Sequence, residues 1–173
     1  FTNMYGPTEI TVDCSYHVIH EIPSAETLSI PIGKARHNME LFVRSENGEL
    51  LKTPGAKGEL LVRGTSVAYG YLGDEYKTRK AFIQNPDNPF YHDPLYCTGD
   101  LVQIEDNGDF CFLGRIDDQI KYLGYRIELG EVEALLLSVE HVQEGVVVFG
   151  KRLGGDDNEI GALVSLTGEL DLC

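Results

Sequence analysis

Seven consecutive residues near the start of the chain, from Asn3 to Glu9, combine an aromatic ring, a Gly-Pro turn, a hydroxyl group and a carboxylate. The Tyr5 ring can stack on a purine, glycine lets a ligand approach the backbone closely, and the Thr8 hydroxyl can donate to a phosphate oxygen. The Glu9 carboxylate offers the oxygen ligand that Mg²⁺ prefers. The segment therefore suits a nucleotide, although a turn that ends a strand would contain the same residue types.

Two later segments carry groups that recognise sugars and phosphates. Asp100 follows a glycine at the entry to a predicted strand, where its carboxylate can accept hydrogen bonds from both hydroxyls of a ribose. Arg115 presents a fixed fork of N–H donors that fits ribose or phosphate oxygens. Each also has a purely structural interpretation, because Asp100 can close a turn and Arg115 can lie in a solvated linker with weak ion pairs.

Hydrophobic periodicity predicts the elements that position these residues. Short alternating segments separated by turn residues predict a twisted antiparallel sheet or small barrel, after a polar, turn-rich stretch from Phe1 to Asp13. The predicted strands are Cys14 to Ile19, Met39 to Val43, Glu59 to Gly64, Leu101 to Ile104 and Phe110 to Leu113. A helix is expected from Asp74 to Phe82, with Asn85-Pro86 ending it.

The pattern changes after Arg115. Glu128 to Leu137 carries apolar residues at helical spacing, and Gly145 to Phe149 is a β-branched run that predicts a buried strand. We therefore expect a mixed α/β chain of two parts. The first, residues 1–115, is mainly antiparallel β-barrel, and the second, residues 116–173, is α+β.

Composition restricts the classes of function. The chain holds 28 acidic and 14 basic residues, a formal net charge of −14, and 42% of its residues are apolar. This is a globular composition, and its negative charge would repel nucleic acids and anionic membrane surfaces. No apolar run approaches the roughly 18 residues of a membrane span, and no signal peptide is evident, so we expect a cytoplasmic protein. The four cysteines lack metal-ligand spacing and are expected to be buried thiols.

The order and spacing of the motifs resemble those of the amino-acid-activating adenylation domains of nonribosomal peptide synthetases. They also resemble those of stand-alone ligases that join an amino acid to a carrier protein. Successive core motifs of that family match between Asn3 and about Phe149, and they read YGPTE, GELLVRG followed by VAYGYLG, TGDL, and GRIDDQIKYLGYRIELGEVE. The resemblance implies the end of a large adenylate-forming core followed by the beginning of a small C-terminal lid, with a hinge near Asp117.

The resemblance also implies an activity. Members of this family join ATP and an amino acid into an aminoacyl-adenylate, release pyrophosphate, and pass the acyl group to a phosphopantetheine thiol on a carrier protein. The implied cofactors are ATP or AMP and Mg²⁺, with phosphopantetheine on the partner. The implied partners are an amino acid and a peptidyl or acyl carrier protein, in the same chain or in another.

The resemblance implies roles for individual residues. Nucleotide binding falls to Asn3, Met4, Tyr5, Gly6, Pro7, Thr8, Asp100, Phe112, Leu113, Gly114 and Arg115. Within that set, Tyr5 would stack on the base and Asp100 would hold the ribose hydroxyls. Glu9 is the implied Mg²⁺ ligand.

Further roles concern the substrate and the lid. Met4, Val12 and Asp13 would line the amino-acid pocket, where a partly buried Asp13 favours a polar substrate unless the local backbone satisfies it. Asp117 and Lys121 belong to the hinge, and Gly124 belongs to a loop that lines the pantetheine tunnel in relatives.

The resemblance covers part of a family member. The family's glycine-rich phosphate loop and the aspartate that grips the substrate amine lie upstream of these motifs, and its catalytic lysine lies near its C-terminus. No residue of this chain is therefore assigned as the catalytic lysine, and we expect a fragment that is inactive alone. Cys97 and Tyr69 also stand where the family usually has basic residues.

Two alternatives remain. Acyl-CoA synthetase-like ligases share the scaffold, but they typically lack Pro7, carry lysine at the position of Asp117, and read VxPxE where Ile127 to Glu131 stands. A catalytically inactive scaffold is the second alternative. It is disfavoured because the polar residues of the nucleotide and metal site are all present, namely Thr8, Glu9, Asp100 and Arg115.

Overall fold

The computed structural model describes residues 1–21, 30–152 and 158–167. They fall into two compact units that divide between Ile116 and Asp117. Both units are built mainly of antiparallel strands, and each is described by itself.

A three-stranded antiparallel sheet begins the first unit. Its strands, in spatial order, are β1 (Thr2–Tyr5), β2 (Ser15–Val18) and β3 (Lys34–Ala35). A single 3₁₀ turn, Thr8–Ile10, connects β1 to β2. The sequence predicted β2 but not β1, because the polar residues of β1 resemble a loop until they pair with β2.

A six-stranded antiparallel sheet forms most of the first unit. Its strands are β4 (Met39–Arg44), β5 (Leu50–Leu51), β6 (Lys57–Gly64), β7 (Phe82–Gln84), β8 (Pro94–Ile104) and β9 (Phe110–Arg115). The order is β5-β4-β6-β8-β7, and the second half of β8 pairs with β9. A bridge between Gly33 and Phe110 joins the two sheets, so the strands curl into a half-barrel, as the sequence predicted.

Alternation along the strands creates a core on each face of the large sheet. Leu60 and Val62 of β6 point into the main core, whereas Leu61 points to the opposite face. The main core also contains Ile10, Cys14, Ile32, Met39, Val43, Tyr96, Val102, Ile104 and Phe110. Ile10 ends the 3₁₀ turn after β1 and Cys14 directly precedes β2, so burial of both side chains fixes this connection against the sheet.

The first unit contains one described α-helix, α1 (Glu75–Ala81). Its N-cap is Asp74, whose Oδ1 accepts a hydrogen bond from the Lys77 backbone N–H at 2.9 Å. The predicted helix from Asp74 to Phe82 is confirmed, since Asp74 is its N-cap and Phe82 its C-cap, but Asn85-Pro86 is not what ends it. Phe82 to Gln84 pair with β8, and the Phe82 ring packs 5.0 Å from that of Tyr96, so strand pairing takes over from the helix before Asn85 is reached.

The second unit begins with a tight hairpin. Its elements are β10 (Gln119–Tyr122), β11 (Tyr125–Glu128), α2 (Leu129–Leu137), β12 (Val142–Lys151) and β13 (Asn158–Leu166). Leu123 and Gly124 connect β10 to β11 with φ angles of 50° and 85°, the positive values of a two-residue hairpin turn. The predicted helix is confirmed as α2.

Burial of β12 differs from the prediction. The strand pairs with β13 over its length, but Val147 is the only residue of β12 that is buried. Phe149 lies on the same face and meets the Tyr122 ring edge-on at 5.8 Å. Val146 and Val148 alternate onto the opposite face and are exposed, so the apolar run reflects a strand covered on one face only.

The described cysteines are free thiols, but they are not all buried. Cys14 lies in the core, and burial raises its pKa to about 12. Cys97 and Cys111 are half-buried, and desolvation is the main cause that raises the pKa of each to about 11. Cys173 lies outside the described residues. Among the described helices, neither is long and apolar enough to cross a membrane.

Candidate active site

The first motif lies on β1 and on the turn that follows it. Asn3 and Tyr5 share one face of β1, and the Asn3 side-chain amide donates to the Pro31 carbonyl oxygen at 2.8 Å. Met4 lies on the other face, where it is exposed. The strand therefore separates Tyr5 from Met4, the residues assigned to stacking and to the substrate pocket.

Three of the residues singled out in the sequence meet in space. The Tyr5 hydroxyl donates to Asp100 Oδ2, and Arg115 Nη1 donates to Asp100 Oδ1 at 2.8 Å. Asp100 and Arg115 are directly opposite each other in the pairing of β8 with β9. Burial raises the pKa of Tyr5, and the negative charge and hydrogen bond of Asp100 raise it further. Tyr5 is therefore a neutral donor to an ionised, cation-paired carboxylate.

Thr98, which was not assigned a role from the sequence, fixes this group. Its hydroxyl donates to the Leu60 carbonyl oxygen at 2.8 Å and accepts from the Asp100 backbone N–H at 3.0 Å. Its own carbonyl oxygen accepts from Arg115 Nη1 at 3.1 Å. The available signal was its place in the TGDL motif, directly before the glycine turn.

A second support of this turn comes from Glu59. Its Oε1 accepts from the Gly99 backbone N–H at 3.0 Å, and its Oε2 accepts from Arg44. The Arg44 guanidinium also lies near the Cys97 thiol, where its charge and hydrogen bond oppose part of the rise in the Cys97 pKa. A cation from β4 is therefore present beside the position at which a basic residue was expected.

Glu9 is a buried carboxylate in the 3₁₀ turn. The Tyr71 hydroxyl donates to Glu9 Oε1 at 2.8 Å, and the Glu9 carbonyl oxygen accepts from the Ala68 backbone N–H at 2.8 Å. Burial raises the pKa of the neighbouring Tyr96, and the charge of Glu9 contributes to that rise. Sequence reasoning missed Tyr71, although it lies in the GYLG segment of a matched motif.

Glu9 fits Mg²⁺ as a single protein carboxylate in a shell that substrate phosphates and water complete. Among the described residues, no group of three or more His, Cys, Asp or Glu side chains could hold a metal ion. Mg²⁺, however, commonly binds proteins through one or two carboxylates and completes its shell with substrate phosphates and water. A carboxylate has about four lone-pair directions, so the bond from Tyr71 is compatible with a metal contact.

A left-handed turn carries Val12 and directly precedes Asp13, two of the three residues assigned to the substrate pocket. Thr11 and Val12 have φ angles of 55° and 83°, which are uncommon for β-branched residues. Gly6 packs against this turn so closely that a Cβ would lie 2.5 Å from the Asp13 Cα. The turn leaves Val12 75% exposed. Strained backbone of the kind seen at Thr11 and Val12 clusters at active sites and ligand clamps.

Asp13 is neither unpaired nor satisfied by the backbone alone. Its Oδ1 accepts from Arg36 Nη1 at 2.5 Å, and its carbonyl oxygen accepts from the same nitrogen at 3.3 Å. The sequence argument for a polar substrate assumed an Asp13 carboxylate that needed a partner. Arg36 supplies that partner, and nothing in the spacing of the two residues signalled the pair.

The remaining assigned residues are on β9 and in the second unit. Phe112 packs partly against the main core, Leu113 is exposed, and Gly114 directly precedes Arg115. In the second unit, Asp117 Oδ1 accepts from the Gln119 backbone N–H at 3.2 Å, and Lys121 lies opposite Arg126 in the hairpin. Gly124 occupies the hairpin turn.

Comparison with known proteins identifies the class. Residues 1–72 match the family described as AMP-binding enzyme. Surfactin synthase subunit 3 of Bacillus subtilis (strain 168) is 40% identical over 165 residues, which are 95% of this chain and 13% of that protein. The chain belongs to the AMP-binding enzymes and corresponds to part of an adenylation domain of the nonribosomal peptide synthetase type.

Solved structures agree with this class. The Vibrio cholerae adenylation domain AlmE, in complex with glycyl-adenosine-5'-phosphate, is 34% identical with a TM-score of 0.79, over 94% of this chain and 30% of that one. PA1221, an NRPS protein containing adenylation and PCP domains, is 28% identical with a TM-score of 0.77, over 96% of this chain and 33% of that one. The chain thus spans about a third of these structures.

The left-handed turn leads to a stability prediction. We expect Val12→Gly to leave the free energy of unfolding unchanged or to raise it by up to about 1 kcal/mol, because relief of the positive φ, about 1 to 2 kcal/mol, exceeds the entropic cost of glycine. Val18→Gly is the control, since Val18 is also an exposed valine but lies in an extended strand. Urea denaturation measures the free energy of unfolding of both variants. Equal destabilisation by the two substitutions would show that the turn is not strained.

Proposed function

We propose that this chain is the nucleotide-binding part of an enzyme that activates an amino acid as aminoacyl-AMP and transfers it to the phosphopantetheine thiol of a carrier protein. The observation that carries the proposal is the cluster of Tyr5, Asp100 and Arg115, which joins residues from three motifs, the first of them almost a hundred positions before the other two. Membership of the AMP-binding family and the likeness to a domain with a bound aminoacyl-adenylate support it.

The cluster suits a ribonucleotide. Asp100 is held as an anion by Arg115, and a carboxylate accepts hydrogen bonds from vicinal hydroxyls such as those of ribose. Tyr5 offers an aromatic surface for adenine while its hydroxyl anchors Asp100. We assign the rest of the nucleotide site to Asn3, Met4, Gly6, Pro7, Thr8, Phe112, Leu113 and Gly114.

Glu9 is assigned to the metal. Mg²⁺ bound there with the triphosphate would neutralise charge that develops as the leaving pyrophosphate departs. Tyr71 holds the Glu9 carboxylate at 2.8 Å and so positions it for this contact. With a chain net charge of −14, local cations such as Arg115 and the metal are needed to admit a polyphosphate.

The reaction has two steps. In the first, a carboxylate oxygen of the amino acid bonds to the α-phosphorus of ATP as the bond to pyrophosphate breaks. In the second, the pantetheine sulfur bonds to the acyl carbon, AMP leaves, and the thiol proton passes to solvent or a base. We assign Asp117 and Lys121 to the hinge of a lid that begins at residue 116, and Gly124 to the pantetheine tunnel.

The test is ATP–pyrophosphate exchange with the full-length protein that contains this chain, measured with a panel of amino acids. We expect exchange that depends on one amino acid and on Mg²⁺, and no exchange with the isolated chain, which spans about a third of the domain structures it matches. Activation of fatty acids with transfer to coenzyme A, and none of amino acids, would overturn the proposal. Robust exchange by the isolated chain would contradict the expectation that this chain is inactive by itself.

A further inference from the structure

We propose that Arg36 determines the amino-acid preference, by neutralising Asp13 and forming with it a polar pair that selects an uncharged side chain able both to donate and to accept hydrogen bonds. Carboxamide and hydroxyl side chains have this chemistry. The inference rests on the proposed function, because it concerns the substrate pocket of that same enzyme.

The pair is part of the fold and not a passing surface contact. Arg36 Nη1 lies 2.5 Å from Asp13 Oδ1, and the two side chains are 45% and 11% exposed. The Arg36 backbone N–H also donates to the Cys14 carbonyl oxygen at 2.9 Å. Main-chain and side-chain bonds therefore both tie Arg36 to the strained turn, and the Asp13 charge avoids the cost of unpaired burial.

The pair keeps hydrogen-bonding capacity for a ligand. Arginine has five N–H donors, and within the described part of the chain the bonds of the Arg36 side chain all come from Nη1. The Asp13 carboxylate uses Oδ1 for Arg36, and about four lone-pair directions are available to a carboxylate. Donors and an acceptor therefore lie side by side next to the exposed Val12.

The charges of the pair decide which side chains it accepts. Because the two charges of the pair cancel, neither a cationic nor an anionic side chain gains the net attraction that would offset its own desolvation. An aliphatic substrate would remove water from the pair and offer no hydrogen bonds in its place. Such a loss of hydrogen bonds discriminates between substrates more strongly than a difference in apolar contact does. An unpaired Asp13 would instead attract a cationic side chain, so the presence of Arg36 changes the class of substrate.

The first measurement is the preference of the full-length enzyme. ATP–pyrophosphate exchange is compared for glutamine, asparagine, threonine, lysine, ornithine, glutamate and leucine. We expect the highest kcat/KM with one of the first three. A preference for a cationic, anionic or aliphatic amino acid would overturn the inference and leave the proposed function intact, whereas activation of no amino acid would overturn the proposed function itself.

Two substitutions are expected to shift the amino-acid preference in opposite directions. Arg36→Ala exposes the Asp13 charge and is expected to raise kcat/KM for lysine and ornithine, relative to the best substrate, by about tenfold or more. Asp13→Asn leaves the Arg36 charge and is expected to raise the relative kcat/KM for glutamate by a similar factor. Arg36→Lys keeps the charge and is expected to keep the order of preference.

A matched control separates specificity from folding. Arg63 also pairs with a buried aspartate, Asp93, at 2.6 Å, and the two side chains are 30% and 6% exposed. Arg63→Ala should lower stability without changing the order of substrates. If Arg36→Ala and Asp13→Asn shift the preference in the same direction, or leave it unchanged, the pair does not set specificity. Should a variant fail to fold, the preference of the unmodified enzyme still decides the outcome.

Discussion

Asp100→Asn in the full-length enzyme is expected to lower kcat/KM for ATP by about 100-fold, with little change in the KM of the amino acid. The substitution keeps the shape of the side chain but removes the charge that Arg115 pairs with and that ribose hydroxyls would bind. Hydrogen bonds to charged groups contribute about 1.5 to 3 kcal/mol each, and about 1.4 kcal/mol corresponds to a factor of ten. Initial rates of pyrophosphate exchange at varied ATP concentration measure the effect.

Asp109→Asn is the matched control for Asp100→Asn. Asp109 is equally buried in the turn of the same hairpin, and its Oδ2 lies 3.0 Å from His17 Nδ1. It contacts none of Tyr5, Thr98 or Arg115 through a hydrogen bond in the described structure. We expect a loss of stability and an unchanged KM for ATP. Equal losses in both variants would mean that Asp100 acts through folding alone.

Local signals explain how much of the fold was predictable. Asn47-Gly48 and Asn107-Gly108 form turns with φ angles of 86° and 81° at their glycines, and the strands on either side alternate as expected. Asp74 caps a helix where its carboxylate precedes a helical pattern. These elements depend on residues that are neighbours in sequence. β7 depends on pairing with β8, so the local pattern of Phe82 to Gln84 did not predict a strand.

The candidate site was predictable as a set of residues but not as a geometry. The motifs named Tyr5, Asp100 and Arg115, but their contact needs the register of β8 with β9 and the packing of β1 beside them. Arg36 lies in a segment without a recognised pattern, and the Asp13 carboxylate that its guanidinium meets directly follows the left-handed turn. The contact of β1 with β8 joins residues far apart in sequence, and the positive φ angles of Thr11 and Val12 belong to no periodic pattern, so local signals predict neither.

Glu9→Gln is expected to reduce the rate of adenylate formation by about 100-fold or more, because it removes the charged ligand proposed for Mg²⁺. Glutamine keeps an oxygen that can still accept from Tyr71, so the fold of the turn should survive. The defect is expected to shrink as the Mg²⁺ concentration is raised, since weaker metal binding is partly offset by mass action. Exchange rates across a Mg²⁺ titration measure both effects.

Tyr71→Phe and Glu40→Gln test whether the rate loss of Glu9→Gln comes from weaker Mg²⁺ binding. Tyr71→Phe keeps the Glu9 charge but removes the hydroxyl that orients it, so a smaller loss of about 10-fold is expected, as for other groups that hold a metal ligand. Glu40 is an exposed carboxylate paired with Arg63 at 3.1 Å, and its loss should leave the Mg²⁺ dependence unchanged. If Glu9→Gln lowers the rate by the same factor at every Mg²⁺ concentration, Glu9 acts by charge or packing and not as a ligand, and the metal assignment fails.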